Sequence, residues 1–186
     1  MINNNGNHPA DNQRTFVMYV EDKPGVLNRV ASLFRRRAFN IESLTVGHTE
    51  LPGVSRMTIV MEADSSVARR VEANLYKLVD VLYVEDVSHT PSVTRDLALI
   101  KVRADAQARV QVLQICDVFR ARAVDVNPNT LIVEITGTED KVEGLLEVLK
   151  PFGILELART GRIAMTRGAD GSPINHALNP AQVTGV

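Results

Sequence analysis

The spacing of apolar residues along this chain switches between strand-like and helix-like patterns, and the same order of patterns occurs twice. In the first half, an almost continuous apolar strand, Phe16 to Glu21, ends at the turn Asp22-Lys23-Pro24-Gly25. A helical pattern follows, and alternating residues on either side of Leu51-Pro52-Gly53 then predict a hairpin. A second helix, with its cap among Asp64, Ser65 and Ser66, leads to a closing strand, Val79 to Val87. The apolar face of the first helix is predicted to contain Val26, Leu27, Val30, Leu33 and Phe34.

The second half repeats this βαββαβ order without repeating its letters. A strand around Leu97 to Val102 precedes a third helix, and Asn127-Pro128-Asn129 is the turn of a second hairpin. Thr138 begins a fourth helix, and Ile154 to Met165 is expected to form one last strand. We therefore predict an α+β protein with two ferredoxin-like βαββαβ units in tandem. The packing face of the third helix is predicted to contain Val112, Leu113, Cys116 and Phe119.

Composition sets the expected bounds of the two units. Residues 1–13 are rich in Asn and almost free of apolar side chains, which predicts a disordered N-terminal arm. The first unit is expected over 14–90 and the second over 91–167, joined near Thr90-Pro91-Ser92. Gly, Pro, Asn and Ala dominate 168–186, where a disordered tail is expected.

The charge balance and the single cysteine exclude several classes of protein. The 21 basic and 22 acidic side chains nearly cancel, so no global field would attract nucleic acid or a membrane surface. Cys116 has no partner for an internal disulfide, and no apolar run approaches the ~20 residues that span a bilayer. The N-terminus lacks the features of a signal peptide, which favours a cytoplasmic location. The four histidines lie far apart and predict no metal site.

The turn after the first strand is the best candidate for a binding site. Unpaired N–H groups at a helix N-terminus can receive a carboxylate, and Gly25 has no side chain to block the approach. Asp22 could accept a ligand ammonium, and Asn40 could bond either end of a zwitterion. From these residues alone, a simple βα turn with a polar strand-entry residue explains the same segment.

The order of this segment resembles the start of an ACT domain, a small βαββαβ module that senses amino acids. The run Asn40-Ile41-Glu42-Ser43-Leu44-Thr45-Val46 is similar to that of the regulatory (small) subunit of acetolactate synthase, also called acetohydroxyacid synthase. The resemblance covers roughly residues 14–167. It implies that the first unit is an ACT domain which binds an effector and forms a homodimer.

The resemblance also implies a function. Small subunits of this family have no active site and no cofactor of their own. They bind the catalytic (large) subunit, which is expected to hold thiamine diphosphate, Mg and FAD, raise its activity, and confer feedback inhibition by valine in branched-chain amino-acid biosynthesis. By resemblance, the second unit is expected to contact the large subunit or to assist in its activation. The expected effector-binding residues are Asp22, Lys23, Pro24, Gly25, Val26, Leu27, Asn40 and Ile41.

Two positions depart from the family pattern. Some members carry Asn in place of Asp22, which affects the expected contact with a ligand ammonium. Many members carry Gly where this chain has Ala38. If the backbone there is left-handed, alanine would destabilise the fold by about 1 kcal/mol.

Other functions compatible with a βαββαβ order make different demands. A free-standing ACT sensor of another enzyme or a transcription factor would use the same site. An RNA-binding RRM needs stacking aromatics on its central strands, and Met57 to Met61 contains none. An enzyme of the acylphosphatase type needs an anion cradle in the first loop, where Asp22 would repel a phosphate.

Overall fold

The computed structural model describes residues 12–168 and Ile174. Its contacts divide the chain into two compact units. Of the described residues, the first unit contains 12–93, 164–168 and Ile174, and the second contains 94–163. Most of the predicted N-terminal arm and C-terminal tail lies outside the described residues. Gln13, which we assigned to the arm, instead begins the first strand.

The first unit contains four strands and two helices in the predicted order. Antiparallel pairing places the strands in the order β2-β3-β1-β4, so the first and third strands are central. The elements are β1 (Gln13–Glu21), α1 (Val26–Arg36), β2 (Ser43–His48), β3 (Val54–Glu62), α2 (Ser65–Leu75) and β4 (Val81–Asp86).

The second unit has the same topology, with strand order β6-β7-β5-β8. Its elements are β5 (Ser92–Arg103), α3 (Ala106–Phe119), β6 (Arg122–Val126), β7 (Thr130–Gly137), α4 (Glu139–Leu149), a 3-10 turn (Lys150–Phe152) and β8 (Ile154–Arg159). The prediction of two ferredoxin-like units is thereby confirmed. A short strand, β9 (Ile163–Thr166), follows and pairs with β5.

The prediction of one last strand from Ile154 to Met165 is wrong. The backbone leaves the extended conformation after Arg159, and Gly161 adopts a positive φ of 83°. Thr160 is held at this break, where its N–H donates to the carbonyl of Leu97 at 3.1 Å. Because an extended strand has negative φ at every residue, Gly161 separates β8 from β9.

Each sheet packs its helices against one face. In the first unit, alternate residues of β1 meet the apolar stripes of α1 and α2, and in the second unit β5 and β7 do the same with α3 and α4. Two expectations for the helix faces are wrong, because Leu27 of α1 and Leu113 of α3 are exposed at the margins of their stripes. Cys116 is buried in the second core, as expected, and burial raises the pKa of its thiol.

The opposite face of the first sheet is also covered. A sheet with helices on one face leaves its other face open, but here Val17, Tyr19 and Val54 are buried in a second cluster that contains Ala164 and Ile174. Arg56 lies over the Tyr19 ring, 5.6 Å from its centroid, and donates to the carbonyl of Ala164 at 2.5 Å. The chain returns after the second unit to cover this surface, a long-range contact that strand periodicity does not reveal.

Candidate functional site

The turn after β1 is fixed by backbone geometry. The N–H of Asp22 donates to the carbonyl of Gly53 at 2.8 Å, which ties the turn to the start of β3. Gly25 is the N-cap of α1 and has φ 87° and ψ −9°. Glycine adopts this left-handed conformation without the steric penalty of a Cβ atom. The backbone conformation therefore favours glycine at position 25, independently of the role predicted for it in binding.

The N-terminus of α1 differs from those of the other α-helices in the described part of the chain. Asp64 caps α2 by accepting from two backbone N–H groups, at 2.7 and 2.8 Å, and Asp105 caps α3 in the same way. Helix α4 has Glu139 and Asp140 in its first turn. Helix α1 has neither a side-chain cap nor an acidic residue in its first turn. The N–H of Val26 donates to the carbonyl of Lys23 at 3.4 Å, and the other N–H groups of the first turn, with the positive dipole end, can receive an external anion.

The carboxylate of Asp22, three residues before Gly25 in the chain, is held by two side chains. Its Oδ1 atom accepts a hydrogen bond from the hydroxyl of Ser55 at 3.2 Å, and its Oδ2 atom lies 3.2 Å from Nδ1 of His48. The Asp22 side chain is 44% exposed. A carboxylate has about four lone-pair positions, so Asp22 retains capacity for a further donor such as a ligand ammonium.

An arginine completes the charged groups around the turn. Nε of Arg29 lies 3.1 Å from Oδ2 of Asp80, whose side chain is only 7% exposed. A methyl group placed on Gly25 would lie 3.9 Å from Nη2 of Arg29, so the guanidinium is close to the turn. The exposed turn therefore has a cationic group, Arg29, near Gly25 and an anionic group, Asp22, at its first residue.

The other predicted residues of the turn divide between surface and core. Lys23 and Pro24 are exposed, and Lys23 forms an ion pair with Glu21 at 2.9 Å. Val26 is buried in the first core, whereas Leu27 is exposed. Of the two apolar residues expected to meet a ligand side chain from this turn, Leu27 is the accessible one.

Asn40 and Ile41 lie at the other end of α1 from Gly25. The helix contains 11 residues and is therefore about 16 Å long. The strand register agrees. Ser43 pairs with Val60 of β3, a residue that lies opposite the start of β1, whereas Glu21 at the end of β1 pairs with Val54. Asn40 is exposed and Ile41 packs at the edge of the first core. Within one chain, the turn that contains Gly25 and the segment that contains Asn40 therefore do not form a single site.

Sequence reasoning missed four side chains around the turn: Arg29, His48, Ser55 and Asp80. His48 and Ser55 come together because they are register partners in the β2–β3 ladder. A signal for that pair was available, since the hairpin turn between them fixes which residues face each other. The pairing of Arg29 with Asp80 depends on packing between α1 and the chain before β4. No spacing along the sequence predicts such a contact.

Three further observations concern metal ions, membranes and RNA. Within 12–168 and at Ile174, no group of three or more His, Cys, Asp and Glu side chains is placed to hold a metal ion. None of the helices in this part of the chain has the length and apolar character needed to cross a membrane. Tyr19, an aromatic on a central strand, is covered on the face where an RRM would stack bases.

The fold and the turn define the class of protein. The first unit has the topology of an ACT domain, and a family model described as "AHAS small subunit-like ACT domain" matches residues 16–83. A second family model, "Small subunit of acetolactate synthase", matches residues 95–168. The two matches fall on the two structural units.

Comparisons with known proteins extend the match to most of the chain. The chain is 49% identical over 156 residues to a probable acetolactate synthase small subunit of Archaeoglobus fulgidus, covering 84% of this chain and 98% of that protein. It is 50% identical over 157 residues to an acetolactate synthase small subunit of Mycobacterium bovis, covering 84% and 94%. The crystal structure of the small subunit from Thermotoga maritima superimposes with a TM-score of 0.78 at 40% identity, covering 83% and 97%. This chain belongs to the family of acetolactate synthase small (regulatory) subunits.

Proposed function

We propose that this chain activates the catalytic subunit of acetolactate synthase and makes it sensitive to valine or another branched-chain amino acid. The observation that carries the proposal is the α1 N-terminus, which begins at a left-handed glycine without a side-chain cap beside the exposed carboxylate of Asp22. Thiamine diphosphate, Mg and FAD are expected in the catalytic subunit, and catalysis is assigned there. The proposed place of action is the cytoplasm.

The turn offers complementary partners to a zwitterion. The first-turn N–H groups of α1 suit a carboxylate, and Asp22 suits an ammonium group. Leu27, exposed at the start of the helix, would contact an aliphatic side chain. Burial of a valine side chain contributes about 1.5 to 3 kcal/mol, so the charged contacts must supply the rest of the affinity.

The position of Asn40 argues for a site shared by two copies of the chain. Within one chain, α1 separates Asn40 from Gly25. In a homodimer related by a two-fold axis, each half-site meets the complementary half of the other copy, and two equivalent sites result. We therefore propose a homodimer in which one ACT unit supplies Asp22 and Gly25 while its partner supplies an asparagine and an isoleucine, equivalent to Asn40 and Ile41.

The energetic demand on such an effector is modest. An effector shifts an assembly between two states only by the difference in its affinity for them, typically about 1 to 3 kcal/mol. A small amino acid with a few charge-assisted hydrogen bonds can supply that difference. The second unit, by family resemblance, is proposed as the contact with the catalytic subunit.

The test is acetolactate formation by the large subunit of the same host, with and without this chain, while L-valine is titrated. We expect this chain to raise the rate and valine to lower it. Asn40→Ala is expected to keep activation and lose most of the response to valine. No activation, together with no change in the valine response, would exclude the proposal.

A pair of glycine variants separates an effect on the site from backbone strain. Gly25 and Gly153 both have positive φ, 87° and 89°, but Gly153 lies in the second unit. The ψ angle of Gly153 is 96°, against −9° for Gly25, so alanine strains the backbone at least as much at Gly153 as at Gly25. Only Gly25→Ala is expected to weaken the response to valine, so equal loss in both variants would indicate a stability effect alone.

A further inference from the structure

We propose that Arg29 binds the carboxylate of the amino-acid effector and that Asp80 is its positioning residue. The inference rests on the proposed function and adds a charged ligand to the helix N-terminus. Neither residue belongs to the turn or to the Asn40 segment, and Arg29 is not among the residues predicted for the apolar face of α1.

The path of the Arg29 side chain supports this role. Its backbone N–H donates to the carbonyl of Gly25 at 3.0 Å, so Arg29 lies one turn into the helix. Side chains on an α-helix tilt toward its N-terminus. The Arg29 guanidinium accordingly reaches back to the turn, where Nη2 would lie 3.9 Å from a methyl group on Gly25. The charge therefore stands where an anion at the helix N-terminus would bind.

Asp80 restrains the guanidinium of Arg29 through an ion pair. Its carboxylate is largely removed from water, and its Oδ2 atom makes no hydrogen bond within the described residues. That atom lies 3.1 Å from Nε of Arg29, an ion pair without the alignment of a hydrogen bond. The backbone carbonyl of Asp80 accepts from the N–H of Glu21 at 2.9 Å, which fixes Asp80 to the end of β1. A buried carboxylate needs a cation, and Arg29 supplies it.

This arrangement leaves the outer edge of the guanidinium available. The Arg29 side chain is 49% exposed, and no hydrogen bond from its Nη atoms is found within residues 12–168. The planar fork of arginine matches a carboxylate in a two-point contact, which the point charge of lysine does not reproduce. Asp22 begins the same turn, so the positive and negative groups suit the two ends of a zwitterion.

The experiment compares L-valine with L-valinamide, which lacks the carboxylate charge, by calorimetry on the full-length chain. The unmodified chain is expected to bind valine at least about tenfold more tightly than valinamide, as expected for the loss of a charge-assisted contact. Arg29→Lys and Arg29→Ala are expected to weaken valine binding about tenfold while changing valinamide binding little. Arg36→Ala, on the exposed last turn of α1, is the matched control and is expected to change neither.

Asp80→Asn tests the positioning role separately, because a purely structural residue would weaken both ligands equally. We expect the ratio of valine to valinamide affinity to fall in Asp80→Asn as it does in Arg29→Ala. If valine binds and this ratio is unchanged in the Arg29 variants, the inference is overturned while the proposed function stands. If the unmodified chain binds no branched-chain amino acid, both fail together. Comparison of the two ligands on Arg29→Lys keeps the test valid where an alanine variant does not fold.

Discussion

Nδ1 of His48 lies 3.2 Å from Oδ2 of Asp22, so the last residue of β2 contacts the turn in front of α1. Both side chains are exposed to solvent, and the contact is accessible to a ligand. The His48 ring therefore contacts the same carboxylate that we assign to the effector's ammonium group. His48 and the amino acid are expected to compete for Asp22.

The first prediction concerns His48. The His48 ring lies against the Asp22 carboxylate, so its removal leaves that carboxylate free for the ammonium group of the ligand. His48→Ala is expected to strengthen valine binding by about two- to fivefold, the size expected for an exposed pair. Calorimetry on the two proteins at one pH measures the change. An unchanged affinity in the variant would show that His48 does not compete with the ligand.

The second prediction concerns Ala38, which has a positive φ of 56°. The residue follows α1 at the left-handed position of a Schellman motif, where the N–H of Phe39 donates to the carbonyl of Phe34 at 3.0 Å. The two aromatic rings pack edge to face with centroids 5.9 Å apart. The left-handed backbone considered from the sequence is thereby confirmed.

Ala38→Gly is accordingly expected to raise the free energy of unfolding by up to about 1 kcal/mol, because glycine lacks the Cβ that strains this conformation. Urea denaturation measures the change. Gly47→Ala provides a contrast, since Gly47 has no positive φ and an added methyl group meets nothing within 4 Å. A lower stability of Ala38→Gly would contradict the account of this helix end.

The third prediction concerns the cover over the outer face of the first sheet. Ile174 is 0% exposed and packs in a cluster with Val17, Tyr19 and Ala164. Ile174→Ala is expected to destabilise the protein by about 2 kcal/mol or more, as for other fully buried isoleucines. Val118→Ala, at an exposed position on α3, is the control. Equal melting temperatures for the two variants would show that Ile174 does not cover the sheet in solution.

The fourth prediction concerns Asp64, the cap of α2. Hydrogen bonds from the backbone N–H of Val67, and from Ser66, lower the pKa of its carboxyl. Because the folded-state pKa lies below the unfolded value, this stabilisation is present above the unfolded pKa and is lost as the pH falls through the folded pKa. Asp64→Asn should therefore show a weaker decrease in stability between about pH 5 and pH 2. An identical acid profile would exclude a contribution from this cap.

Sequence periodicity was sufficient for the βαββαβ order of both units, and the cap of α2 is one of the three residues that the sequence offered, Asp64. The same patterns could not show that Ala164 and Ile174 return to the first sheet, because that contact joins residues far apart in the chain. Periodicity also assigned Leu27 to the core, since it marks a stripe without fixing its edges.

The candidate site was predictable in part, for a related reason. Gly25 follows from the Pro-Gly turn and from the helix pattern, both of which are local. The positions of His48 and Asp80 depend on strand register and on packing against α1. Asn40 shows the limit most clearly. Its proposed role requires a second copy of the chain, and the sequence does not show how two copies pack together.

The most direct test of the central claim is a crystal structure of the full chain grown with L-valine. The account predicts valine at the N-terminus of α1, with its carboxylate about 3 Å from first-turn N–H groups and its ammonium group against Asp22. It also predicts that Asn40 of a second copy completes the site. Valine bound elsewhere, or an α1 N-terminus closed by the protein's own atoms at saturating valine, would contradict the claim.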